Sequence, residues 1–155
     1  IPDLSYAYLA GFTEETLKFA AIYFYIRKKT DFDEPMDAIV YGTLISLGFA
    51  TLENFQYVYS AGNPDFIATL RAFTAIPLHA CCGVIMGYYF GLYIFKDRNR
   101  LNLFKSLFLA IAFHASYNYF ATRNVLLMFF VLVVLIMFAR KLHKLLKAEQ
   151  LSKQN

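Results

Sequence analysis

Two adjacent carboxylates, Glu14 and Glu15, sit in the middle of an apolar run that extends from Leu4 to Ile26 and closes on Arg27-Lys28-Lys29. A run of this length, at ~1.5 Å rise per residue, reaches roughly 34 Å, enough to cross a bilayer. Both glutamates then lie near the mid-plane. An ionised carboxylate at that depth costs several kcal/mol unless protein compensates it, so the default expectation is a functional site facing other helices. The blander alternative is a helix that begins at Thr13 with the glutamates on its N-terminal dipole. It leaves Leu4 to Phe12 without a role, and what remains is too short to span.

Other polar residues interrupt later apolar runs. Lys18 follows Glu14 by one helical turn, within reach as a counter-ion. A second run carries Glu53-Asn54, a third Arg71 and His79, and a fourth His114 and Asn118, whose i, i+4 spacing aims both at one point. Counted from the ends of their runs, all of these fall between the mid-plane and one surface. A single intramembrane histidine is commonly a hydrogen-bonded core residue, and Asn54, Asn118 and Arg71 each have structural readings. Two histidines, three glutamates and an asparagine at similar depth on four helices instead suggest one shared cavity. Carboxylates and imidazoles in a low-dielectric cavity do acid–base work. Gly83, Gly87 and Gly91 continue the i+4 row of Arg71, Ala75 and His79, so close helix approach is expected below the site.

The elements that must position these groups follow from composition. Of 155 residues, 59% are hydrophobic and 19% aromatic, too much apolar surface for a soluble domain of this size. The expected fold is all-α, a polytopic membrane bundle of about five transmembrane helices forming a single domain over 1–155. The spans are placed at about 4–27, 35–60, 66–95, 101–121 and 124–147, the last running into a basic amphipathic extension. Twelve of the fifteen lysines and arginines fall at alternate junctions or in the tail, ending at Lys153. Lys18 and Arg71 lie within spans, and only Arg123 lies on the other side. By the positive-inside rule the N-terminus is outside and the C-terminus cytoplasmic. The net charge of +4 suits lipid headgroups, not nucleic acid. Cys81 and Cys82 are adjacent and read as packing residues. The chain opens at Ile1-Pro2 without a methionine, so further residues are expected upstream.

The order Glu14-Glu15-x-x-Lys18, Gly48-x-Ala50-x-x-Glu53-Asn54, Arg71 to His79-x-x-x-Gly83-x-x-x-Gly87, and His114-x-x-x-Asn118 resembles the PrsW family of intramembrane proteases. These are distant relatives of the CAAX-prenyl endoprotease and bacteriocin-immunity group. The resemblance covers Glu14 to Asn118. It implies cleavage of membrane-anchored proteins, such as anti-sigma factors, near the outer face of a prokaryotic plasma membrane. Many relatives are longer, so spans or loops present in them are absent here.

Peptide hydrolysis needs an activated water, a clamp on the carbonyl oxygen and an acid for the leaving amine. Glu14 or Glu15 is assigned as base and then acid, helped by His79 and Glu53, with His114 and Asn118 as the oxyanion clamp. Lys18, Asn54 and Arg71 support them. Ser116 and the cysteines lack a base at suitable spacing. The alternative is a zinc ion held by His79, His114 and Glu53, with another glutamate as base. HExxH is absent, and the acceptors that would orient zinc-binding histidines are the same glutamates needed as ligand and base. The sequence therefore favours a metal-free enzyme without cofactor. A reading of another class is a non-catalytic scaffold or a proton or ion carrier. The apolar inner halves of the second to fourth runs count against a carrier.

Overall fold

A computed structural model of the chain describes residues 4–154, with side chains over 8–152. Ile1-Pro2, where the chain opens, and the Lys153 side chain lie outside the described residues. The described residues form an all-α bundle: α1 (Leu4–Phe24), α2 (Pro35–Ser60), α3 (Pro64–Phe73), α4 (Ala75–Leu92), α5 (Arg100–Ala121) and α6 (Val125–Gln154). A 3-10 turn, Ile26–Lys28, follows α1, and a π turn, Tyr93–Asp97, extends α4. Three helical stretches, Pro35–Ser60, Pro64–Asp97 and Val125–Ser152, are long and apolar enough to cross a membrane. The other two rods, α1 and α5, carry several of the site's polar residues.

Sequence sets the helix starts. Pro35 and Pro64 occupy first-turn positions, where a missing N–H costs nothing. Asp37 Oδ2 accepts from the amides of Asp33 and Glu34 at the head of α2. Asn63, Asn99 and Asn124 cap α3, α5 and α6 by accepting from Phe66, Leu101 and Leu127. The third run, expected as one helix over 66–95, is instead broken at Thr74 (φ −124°, ψ −63°). Pro77 is the physical reason: it has no N–H to give the Phe73 carbonyl, and its ring crowds that turn.

The middle of the bundle is α4, which packs on α2, α5 and α6. Its contact with α2 is backbone on backbone. A Cβ on Gly83 would stand 2.6 Å from the Gly42 carbonyl oxygen, and one on Gly42 would stand 2.7 Å from that of Gly83. One on Gly87 would collide with the Ala38 carbonyl, and Gly91 faces Pro35. The pairs run in opposite directions along the two chains, so α2 and α4 are antiparallel. In lipid there is little hydrophobic force between helices, and small residues permit the approach that dispersion needs. The α6 face that meets the core is Met128, Leu132, Leu135, Ala139, Leu142 and Leu146, an alternating four–three spacing. Its other face exposes Leu126, Phe130 and Met137, and Leu44, Phe73 and Phe104 are similarly bare elsewhere. An apolar exterior on this scale is a lipid-facing surface.

Candidate active site

The site is assembled at one end of the tight α2–α4 contact. Gly11 of α1 lets that helix approach α5: a Cβ there would lie 3.0 Å from the Ala115 amide nitrogen. One turn further along α1, Glu15 reaches the neighbour of Ala115. His114 Nδ1 lies 2.7 Å from Glu15 Oε1. Because an ionised carboxylate only accepts, Nδ1 carries the proton and donates, leaving the lone pair on Nε2. Lys18 Nζ donates to the same Glu15 oxygen at 2.6 Å and lies 3.6 Å from Glu14 Oε2. The expected Lys18–Glu14 proximity is present, but the tighter partner is Glu15.

From the other side, α4 presents His79. Its Nε2 lies 3.0 Å from Glu53 Oε2 on α2, and its Nδ1 lies 2.9 Å from Lys18 Nζ. The acceptor-only carboxylate and the donor-only ammonium together assign Nε2–H and an Nδ1 lone pair. Glu53 is held by Arg71 of α3, whose Nη2 donates at 2.7 Å, while Arg71 Nε donates to Asn54 Oδ1. Thus Arg71 reaches the site from the segment before the break and not from the same helix as His79. The rings of His79 and His114 are 4.9 Å apart, centre to centre. Glu15, Lys18, His79 and His114 are buried, whereas Glu14 and Glu53 keep 22% and 19% of their side chains exposed.

One ligand atom each from Glu14, His79 and His114 lies within 4.8 Å of the others. The zinc set read from sequence named Glu53 as the carboxylate; the converging carboxylate is Glu14, because Glu53 is engaged by Arg71 and His79. Asn118 is half-buried on α5, one turn beyond His114. Ser116 donates to the Ala112 carbonyl within its own helix, and the Cys82 thiol points to the Ala110 carbonyl, so neither is poised as a nucleophile. Two residues escaped the sequence reading. Phe49 lies against Lys18, 5.4 Å from Nζ to ring centre, and carried no legible signal. Gly11, a small residue one turn before Glu15, did.

A model of the PrsW-protease family, described as "PrsW family intramembrane metalloprotease", matches residues 2–140. The chain belongs to this family. Among its relatives, Protease PrsW of Bacillus subtilis is 41% identical over 115 residues, covering 73% of this chain and 52% of that protein. Protease PrsW of Geobacillus kaustophilus is 40% identical over 111 residues, 71% of this chain and 48% of its own length. That of Halalkalibacterium halodurans is 37% identical over 118 residues, 76% and 54%. The chain therefore spans about half the length of the curated relatives it matches. No solved structure matches it significantly.

Proposed function

We propose that this chain is the catalytic part of an intramembrane endopeptidase that cuts membrane-anchored protein substrates, an anti-sigma factor being one candidate class. The observation that carries this reading is a division of labour among three carboxylates. Glu15 holds the Nδ1–H of His114, Glu53 holds the Nε2–H of His79, and Glu14 converges with the two rings. Each histidine has its own orienting carboxylate and a third is left as ligand, which lessens the shortage of acceptors that counts against metal in the sequence, with Glu15 serving both as orienting group through Oε1 and as base through Oε2.

Two imidazole nitrogens and a carboxylate oxygen suit zinc. His114 Nε2 is buried without a hydrogen-bond partner, a costly arrangement for a polar atom unless a ligand takes it, and Glu14 Oε2 also accepts no hydrogen bond, with the Lys18 ammonium 3.6 Å away. Glu14, His79 and His114 would hold the ion. Bound there, zinc would act as a Lewis acid and make a nucleophile of water at neutral pH. The chain's own residues do the rest. Glu15 Oε2 is buried and unpartnered, a carboxylate oxygen free to take and return a proton. Lys18 and Arg71 balance the carboxylate charge. Asn118, one turn from His114 on α5, would donate to a developing oxyanion.

A second reading, metal-free catalysis, has its own support. The Lys18 ammonium already lies among Glu14, Glu15 and His79 and could supply the positive charge. The glutamates would then serve as base and acid, with His114 and Asn118 as clamp. Elemental analysis of the purified protein, with cleavage of a panel of single-span substrates, separates the two. Near one zinc per chain is expected, with activity lost on stripping by a strong chelator and restored by zinc. Full activity in the zinc-free protein would transfer the mechanism to the second reading, and no cleavage under any metal loading would sink both.

The topology we propose places five rods across the bilayer, N-terminus outside and C-terminus cytoplasmic, because the basic clusters lie at alternate junctions. A reporter at Gly62-Asn63 is then outside and one after Asn155 is cytoplasmic. Both on one side would refute it.

A further inference from the structure

Lys18 does more than balance charge. Its ammonium is completely buried, and its three polar neighbours are Glu15 Oε1 at 2.6 Å, His79 Nδ1 at 2.9 Å and Glu14 Oε2 at 3.6 Å. Two of those neighbours, His79 and Glu14, belong to the converging donor set. A neutral imidazole has one lone pair. Glu53 fixes that lone pair on Nδ1 of His79, and Lys18 uses it. On the facing ring the lone pair of His114 Nε2 is unused. The donor set is thus open on one histidine and plugged on the other.

We infer that Lys18 is a resident cation that competes with the metal. An ammonium and a metal ion cannot share the Nδ1 lone pair, so the Lys18–His79 hydrogen bond and metal coordination by His79 exclude one another. In the metal-free protein the ammonium holds Glu14, Glu15 and His79 together, and without it the buried Glu15 charge would be left uncompensated. When the metal arrives, Lys18 gives up His79 and retains Glu15, its i, i+3 neighbour on α1. The competent fraction of the site is the fraction in which Lys18 has let go, and apparent affinity is reduced by that fraction. The inference rests on the metal reading above and adds a determinant of how readily the site loads.

The test is a zinc titration of the purified chain in detergent against a chromophoric chelator, for the wild type, Lys18→Met and Arg71→Gln. Lys18→Met keeps the length and apolar stem but not the plug, and is expected to bind zinc about ten- to hundredfold more tightly, the gain that corresponds to a competent fraction of about 1–10% in the wild type. Arg71→Gln removes a cation that touches Glu53 but not the His79 lone pair, and is expected to bind no more tightly than wild type. Equal or weaker binding by Lys18→Met would overturn the inference while leaving the metal reading intact, since a purely structural lysine lowers affinity when lost. Tightening by Arg71→Gln as large as that of Lys18→Met would assign the effect to general charge and also overturn it. Zinc binding by none of the three would refute the metal reading, and the inference with it. Thermal unfolding with and without zinc gives the same comparison for a variant too unstable to titrate. A larger zinc-induced rise in Tm for Lys18→Met supports the plug, and an equal or smaller rise refutes it.

Discussion

The two ends of the α2–α4 pair are built on opposite principles. At one end, Gly42, Gly83, Gly87 and Gly91 present no side chains and the backbones touch. At the other, Glu53, Asn54, Arg71 and His79 meet through long polar side chains, and Glu14, Glu15, Lys18 and His114 join from α1 and α5. The first end has no room for added volume, and the second depends on polar side chains that reach one another across helices. Together they solve one problem: charges in an apolar interior must be placed to within a fraction of an ångström, and close backbone contact supplies a reference that flexible side chains cannot.

Three substitutions would break or sharpen that contrast. Gly87→Leu should have the largest effect, because even a Cβ at this position meets the Ala38 carbonyl. We expect loss of upwards of about 3 kcal/mol of stability, read as a lowered unfolding midpoint in detergent, with activity lost as a consequence. A midpoint like that of the wild type would mean the backbone contact is dispensable. Glu15→Gln should separate the two ends. The amide oxygen can still accept from His114, so helix content and unfolding midpoint should change far less than in Gly87→Leu, while cleavage falls by about 10²- to 10⁴-fold. Undiminished cleavage would remove Glu15 from the chemistry. The smallest effect is expected for Gly48→Ala. Nothing lies within 4 Å of its would-be Cβ and it sits inside α2, so stability should rise by about 0.5–1 kcal/mol at most. A large loss there would show that a glycine in this bundle can matter without close packing.

Much of this arrangement was legible in the chain. Charged residues in apolar runs are expensive enough to announce a site, and the glycine row announced the helix contact. The pairing was not legible. Glu14 and Glu15 are about 100° apart on a helix, and only the approach of α5 at Gly11 decides which one meets His114 and which meets the donor set. Likewise, depth alone gives Glu53 as the zinc carboxylate and cannot show that Arg71 engages it while Glu14 converges with the two histidines. The break at Thr74 is not legible in hydropathy, which runs unbroken through it; Pro77 is the available signal. For Asn118 the fold adds least, because its half-buried position one turn from His114 follows directly from the i+4 spacing.

The interruption at Thr74 has a consequence for hydration. In a bilayer, backbone that leaves the helical pattern is tolerated only against protein or a wet cavity, because hydrocarbon offers amides nothing to bond. Thr74 and Ala75 are sealed by protein, yet Phe73 and Ile76 on either side are exposed. Nearby, Glu53 keeps part of its carboxylate open, as does Glu14 across the cluster. The proposed hydrolysis would consume a water at every turnover, and a site in a lipid-facing bundle would have to be resupplied. Of the three glutamates, Glu15 is sealed while Glu14 and Glu53 are left partly open, so it is at these two that the second substrate, water, has to be drawn in.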